Sequence, residues 1–324
     1  MKEVNWNWEV FINSINGYIP RNISNSPWED SNISWSPDGN FIAYTHCSQY
    51  QLCDIYIYDT KKDSTINLTP GNNYEAYSPR WTPDGKKIIF SYHIMGEKQC
   101  TYIMNADGSN KNKLLDFEAH IYFYKDNFRF IYQPAITFTD IDKKIYLSDL
   151  NNSENVLLTD TRNIGGTNAS VCDFNPNKND LLVLISRRPY IADVLATYNI
   201  DSKKVDTLLL ADNNYIFFMP KYSPDYSKIG IMEINYVEHK SRLSTYYNGF
   251  KNILTEQSTS DKFFDFNPFE FSANNRYIAF AVNTYPTEDK STWLSNLYII
   301  DTDTKRIQYI DQGKAPHWNP KLDK

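Results

Sequence analysis

Long apolar runs are missing from this chain. No stretch approaches the roughly 18 residues that a transmembrane helix needs, so membrane insertion is not expected. The opening MKEVNWNWEVFINS also lacks the apolar core of a secretory leader. A periplasmic or envelope location requires a leader already removed, and without one the cytoplasm is expected; the compartment stays open. Glycine and proline are scarce, at 11 and 15 of 324 residues, too few for a low-complexity chain. Positive charge is in deficit, with 33 Lys and Arg against 39 Asp and Glu, a net of −6. That balance argues against a nucleic-acid binder working by bulk electrostatics.

Chemical signatures are equally sparse. There is no G-x-S-x-G elbow, no glycine-rich phosphate loop and no H-E-x-x-H. The five histidines (His46, His93, His120, His239, His317) include no pair at metal-ligand spacing. DTDTKR (301–306) and NADGSNK (105–111) have the composition of calcium loops without their spacing. No cofactor and no metal are expected. Four cysteines (Cys47, Cys53, Cys100, Cys172) form no metal pattern. Cys47 and Cys53 flank a predicted strand–loop–strand and would pair in an oxidising compartment, but two free thiols are the preferred expectation.

Aromatic residues are abundant, at 15% with 25 Tyr, and such side chains suit pleated, half-buried surfaces. The stretch ISWSPDGNFIAY (33–44) joins two strand-like runs through Ser-Pro-Asp-Gly. In that turn Pro fixes φ, Asp bonds nearby backbone and Gly accepts positive φ. SPRWTPDGKKIIF (78–90) repeats it. Following the Trp gives equivalents at Trp35, Trp81, Phe123, Phe174, Tyr222, Phe271 and Trp318, 42 to 51 residues apart. A second aromatic recurs at Phe11, Tyr56, Tyr102, Tyr146, Tyr198, Tyr246 and Tyr298, several times leading into an acidic turn. Each unit reads as four short strands, A to D.

Four strands repeated at this period is the arithmetic of a β-propeller, in which each blade buries both faces on its neighbours. EVFINSINGYIPRNIS (9–24) aligns with DIYIYDTKKDSTINLT (54–69), so the chain opens on strands C and D. APHWNP (315–320) reads as a lone strand A. The expectation is one all-β propeller domain over 1–324 with four-stranded blades, seven favoured and six the alternative. Residues 1–29 and 311–324 together would form the closing blade, for which no strand B is evident.

The pattern W-S/T-P-D-G, strand, D-I-Y-x-x-D, strand, L-T resembles the TolB-type, WD-like propeller repeat. The resemblance covers nearly the whole chain and is sharpest in the first two units. It implies a propeller; the separate N-terminal α/β domain of TolB is not expected, because the first complete unit begins near Asp30.

Two candidate sites follow. The residue before each repeat aromatic forms a set at the channel mouth: Ser34, Arg80, Tyr122, Asp173, Lys221, Glu270 and His317. It is readable either as a solvated, self-neutralising lining or as a polar site with Arg80 and Lys221 as anion partners. The loop rim offers Tyr74, Tyr77, Arg162, Arg187, Arg188, Tyr190, Tyr215, Phe217, Tyr285 and Trp293, residue types enriched in interface hot spots. The expected function is a non-catalytic scaffold for a protein or peptide partner, with carbohydrate as a further ligand class. The alternative is a propeller lyase or hydrolase acting on acidic oligosaccharides, with His317 or Glu270 carrying the proton.

Overall fold

In the computed structural model of the chain, the residues described are 2–4, 7–15, 19–49, 52–71, 73–124, 126, 128–135, 144–151, 155–165, 168–188, 191–212, 214–258, 269–284 and 294–321. Among them there is no α-helix, and the only helical element is a 3₁₀ turn at Thr161–Asn163. Everything else regular is antiparallel sheet.

The chain begins with β1 (Lys2–Val4), β2 (Asn7–Glu9), β3 (Phe11–Ile12) and β4 (Arg21–Asn22), paired β1–β2 and β3–β4. Six four-stranded sheets follow, each a meander in chain order. Blade 1 is β5 (Asp30–Trp35), β6 (Phe41–Cys47), β7 (Cys53–Asp59) and β8 (Ser64–Asn67). Blade 2 is β9 (Tyr74–Trp81), β10 (Lys87–Ile94), β11 (Cys100–Asn105) and β12 (Asn112–Leu115). Blade 3 is β13 (Ala119–Phe123), β14 (Arg129–Pro134), β15 (Lys144–Asp149) and β16 (Val156–Asp160). Blade 4 is β17 (Asn168–Asn175), β18 (Asp180–Arg188), β19 (Ile191–Asn199) and β20 (Val205–Leu210). Blade 5 is β21 (Tyr215–Tyr222), β22 (Ile229–Asn235), β23 (Lys240–Tyr247) and β24 (Phe250–Ser258). Blade 6 is β25 (Glu270–Phe271), β26 (Tyr277–Thr284), β27 (Leu294–Asp301) and β28 (Ile307–Gln312).

The repeat aromatics sit where the sequence pattern puts them, at or next to the end of each strand A. The complete blades number six among the described residues, the count the sequence reading holds as its alternative. Six sheets have four strands, while the N-terminal pieces are two or three residues long and form only two-stranded pairs. Asp311 and Gln312, expected in the closing blade, instead end the outer strand of blade 6. Cys47 and Cys53 also depart from expectation: they are disulfide-bonded, while Cys100 and Cys172 are free. The cause is register, since Cys47 and Cys53 face each other at the ends of β6 and β7.

The chain divides into two compact units, Met1–Glu118 with Asp265–Lys324, and Ala119–Phe264. In the first unit, Ile55 and Ile57 of blade 1 meet Trp81, Ile88, Phe90 and Met104 of blade 2 in one core. A second core joins Val10 and Ile23 to Ile42, Tyr44 and Tyr58 of blade 1. In the second unit, Ile131 and Ile145 of blade 3 pack on Val171, Leu181 and Val183 of blade 4. Leu182 and Leu195 of blade 4 likewise meet Phe217 and Ile231 of blade 5. Each fully buried large side chain here contributes about 1.5–3 kcal/mol, so stability resides between blades rather than within them.

The segment 315–320 carries no strand, yet it repeats strand-A geometry. Asn32, Ser78 and Met219 lie three residues before their aromatics at φ 51°, 56° and 46°, and Ala315 does the same before Trp318 at φ 48°. The Trp318 indole stacks on Tyr277 at 6.5 Å, as Trp81 stacks on Phe41 at 6.2 Å. Asn319 Nδ2 donates to Gly39 O at 3.1 Å, and a Cβ on Gly39 would lie 2.3 Å from Asn319 Oδ1. The N-terminal strands are tied to the same region. Lys2 pairs with Asp311 at 2.8 Å, and Lys314 Nζ sits 3.8 Å from the Trp8 ring centre.

Candidate functional site

The turns of blades 1 and 2 are built from the same chemistry twice. In the A–B turn of blade 1, Asp38 accepts from Ser36 Oγ at 2.6 Å and from Asn40 N at 3.0 Å. Asp84 repeats this in blade 2 with Thr82 Oγ1 at 2.7 Å and Lys86 N at 3.0 Å. In the C–D turns, Asp59 accepts from the amides of Lys61 and Lys62 at 2.9 and 3.0 Å. Asp107 takes Ser109 Oγ at 2.6 Å and Ser109 N at 3.0 Å. Each carboxylate is therefore held by its own turn.

These turns rim a cleft of about 610 Å³ between blades 1 and 2, a volume in the range of ligand sites. Its apolar wall includes Phe41, Ile57, Ile66, Leu68, Trp81 and Ala106, and its rim carries Asp38, Asp59, Asp84 and Asp107 with Lys62 and Lys321. Ile66 is 60% exposed, an aliphatic side chain left open to solvent at this cleft. All four carboxyls are held below the ordinary aspartate range. At Asp38 and Asp84 partial burial pushes the pKa up, but the hydroxyl of Ser36 or Thr82 and the turn amides outweigh it. At Asp59 the Lys62 amide dominates, and at Asp107 the Ser109 hydroxyl. Sequence reading identified these residues only as turn formers; the signal was their repetition in two adjacent units.

The residues expected at the channel mouth all lie on strand A or its equivalent, one residue before the aromatic. In the first unit, Ser34 and Glu270 offer backbone carbonyls to the indoles of Trp81 and Trp318 at 3.1 and 2.9 Å, while Arg80 and His317 are exposed. In the second unit two members hold blades together. Tyr122 Oη donates to Val171 O at 3.0 Å, and Asp173 Oδ2 accepts from Tyr222 N at 2.8 Å. Lys221 is half-buried.

The rim residues separate by burial. Tyr74 is half-buried, donates to Thr69 O at 3.0 Å and packs against Tyr92 at 4.7 Å. Tyr77 is half-buried, and burial first, then Glu118 and Glu75, push its phenol up to about 12. Arg162 is exposed and pairs with Asp160, and Arg187 pairs with Asp193 at 3.0 Å. Phe217 and Tyr215 correct the expectation of an exposed rim. Phe217 is 1% exposed and belongs to the core between blades 4 and 5. Tyr215 is also buried, with Arg242 stacked 3.9 Å over its ring. Strand alternation turns both inward. Tyr190, Tyr285, Trp293 and the side chain of Arg188 lie outside the described residues.

Sequence reading also missed two acid–histidine pairs at matching places in blades 1 and 2. His46 Nδ1 lies 2.8 Å from Asp30 Oδ1, and His93 Nδ1 lies 3.2 Å from Glu75 Oε2. In both, strand pairing places the partners opposite each other, a relation invisible before register is known. Among the described residues, no group of three or more His, Cys, Asp or Glu is placed to hold a metal ion.

Solved structures similar to this chain include TolB from Acinetobacter baumannii, at 18% identity and a TM-score of 0.59 over 86% of this chain and 65% of that one. The chain carries a TolB-like β-propeller fold. An oligogalacturonate lyase in complex with manganese superimposes with a TM-score of 0.67 at 11% identity, over 94% of this chain and 84% of that one. At such identities the likeness is one of fold. The uncharacterized peptidase YuxL of Bacillus subtilis is 33% identical over 87 residues, 25% of this chain and 13% of that protein. The chain thus matches only a small part of that relative's length. No family model matches the chain.

Proposed function

We propose that this TolB-like propeller is a non-catalytic binding module whose partner, a protein or peptide, inserts a side chain between blades 1 and 2. The observation that carries this reading is the open cleft, in which Ile66 stands exposed above a wall containing Trp81 and Phe41. Exposed apolar surface beside polar rims is the usual mark of an interaction site. In the same reading β1–β4 and 315–320 constitute a seventh, composite blade, supported by the strand-A geometry repeated at Ala315 and Trp318.

The test is selection of displayed random peptides on the intact chain, followed by their binding to Ile66→Arg, which fills and charges the cleft mouth. Selected peptides should lose binding to the variant. Peptides that bind it unchanged would remove the cleft from the reading. The enzyme alternative would use His317 and Glu270, and the structure relates them only through the backbone, the Trp318 indole beside His317 bonding the Glu270 carbonyl. Incubation with oligogalacturonate, monitored for unsaturated product, should give no turnover; turnover lost in His317→Ala would favour the alternative.

A further inference from the structure

The charges around the interblade cleft differ in kind. Its carboxylates are fixed, each bonded to one or more groups of its own turn. Its ammonium groups are not: the Lys62 side chain is 79% exposed at 3.5 Å from Asp59, Lys321 is exposed, and Lys86, just outside the lining, is 80% exposed at 3.9 Å from Asp84. Such solvated lysines swing away at little cost, because an exposed pair of this geometry is worth a fraction of a kcal/mol. An incoming cation can replace them, whereas an incoming anion meets carboxylates that cannot retreat. The four acids also stay ionised well into the acid range, since their turn hydrogen bonds favour the charged form.

We infer that the cleft accepts an apolar or aromatic side chain flanked by Lys or Arg, so that the partner is a cationic amphipathic peptide segment. This rests on the cleft being the binding site. The apolar residue would fill the space bounded by Phe41, Ile57, Ile66 and Trp81, and the flanking cations would reach Asp38 and Asp59 on one lip and Asp84 and Asp107 on the other. An acidic ligand, including an acidic oligosaccharide, is disfavoured at this place by the same fixed charges.

The experiment uses three synthetic probes on the full chain: acetyl-Arg-Phe-Arg-amide, acetyl-Ser-Phe-Ser-amide and acetyl-Glu-Phe-Glu-amide. Affinities are read by titration at low and high salt, on wild type, Ile66→Arg and the pair Asp84→Asn with Asp107→Asn. Asparagine keeps the side-chain carbonyl that each turn uses, so folding is preserved while charge is lost. The arginine probe should bind roughly tenfold more tightly than the serine probe at low salt, from two screened charge contacts. That margin should shrink in the Asn pair and at high salt. Equal binding of all three probes, abolished by Ile66→Arg, would overturn the charge preference while keeping the cleft. Preference for the glutamate probe would overturn it through Lys62 and Lys321. Absence of binding, or binding indifferent to Ile66→Arg, would overturn the cleft itself.

Discussion

The indole nitrogen of Trp318 donates to the backbone carbonyl of Glu270 at 2.9 Å. Trp81 of blade 2 makes the same bond to Ser34 of blade 1 at 3.1 Å. A tail without a strand ladder is thereby held in a strand-A position by side chains, Trp318 on Glu270 and Asn319 on Gly39. Trp318→Phe should keep the stacking on Tyr277 and lose the bond, lowering unfolding free energy by about 1 kcal/mol. Trp318→Ala should cost about 3 kcal/mol. Urea denaturation of the two variants checks the ordering; no loss in Trp318→Phe would show that the bond contributes nothing, and equal losses would show that the ring adds nothing beyond it.

Ala315 holds φ 48°, a conformation that costs an L-residue roughly 1 kcal/mol and glycine almost nothing. Ala315→Gly is therefore expected to leave stability unchanged or raise it by about 0.5 kcal/mol, despite the added freedom of the unfolded chain. Thermal unfolding of this single variant is sufficient, and a clear loss would mean that the tail is not held in the left-handed region.

Reduction of Cys47–Cys53 should release two thiols beyond Cys100 and Cys172, giving four in a thiol titration of the unfolded chain. The bridged positions are 6 residues apart, so the closed loop is short. Chain-entropy reasoning assigns such a loop only about 2 kcal/mol. The Cys47→Ser, Cys53→Ser double variant should fold with that deficit and retain the probe binding described above.

Acid should weaken the turns. The folded pKa of Asp84 lies below the ordinary 3.8: burial alone would raise it, but the Thr82 hydroxyl and the Lys86 amide outweigh burial. A depressed carboxylate stabilises the fold fully above its unfolded pKa, and that contribution disappears as pH falls through the folded value. Asp84→Asn removes the titration and keeps the acceptor. The stability gap between wild type and variant should be constant above about pH 5 and close below about pH 4. A gap that widens in acid would contradict the assignment.

Phe217 and Ile66 separate core from surface. Phe217→Ala should destabilise by about 3–5 kcal/mol, since the ring is 1% exposed among blade 4 and 5 side chains. Ile66→Arg should change stability by about 0.5 kcal/mol or less, because the side chain is 60% exposed. Chemical denaturation of both variants tests whether the proposed cleft residue is free of a structural role.

Local patterns in the chain carried most of the architecture. Ser-Pro-Asp-Gly with an aromatic before it specifies a turn and its flanking strands wherever it occurs, because φ preferences and Asx hydrogen bonds act within a few residues. That is why strand A ends at Trp35 and at Trp81, whose turn is the near-identical Thr-Pro-Asp-Gly, as the repeat implied. Relations between strands were not legible. Cys47 meeting Cys53, Asp30 meeting His46 and Phe217 turning inward all depend on register and on which face of a blade each residue takes. A shift of one residue reverses every side chain.

The interblade cleft marks the same boundary. The sequence by itself determined that the chain repeats, that its units are four short strands, and that Asp38, Asp59, Asp84 and Asp107 sit in tight turns. Tertiary structure alone decided that two neighbouring blades bring those four carboxylates around one apolar opening with Ile66 and Trp81 in its wall. Turn formation is a contest among nearby backbone and side-chain groups, settled within a handful of residues. A cleft exists only where two separately formed surfaces meet and fail to close, and that is decided by packing across the fold.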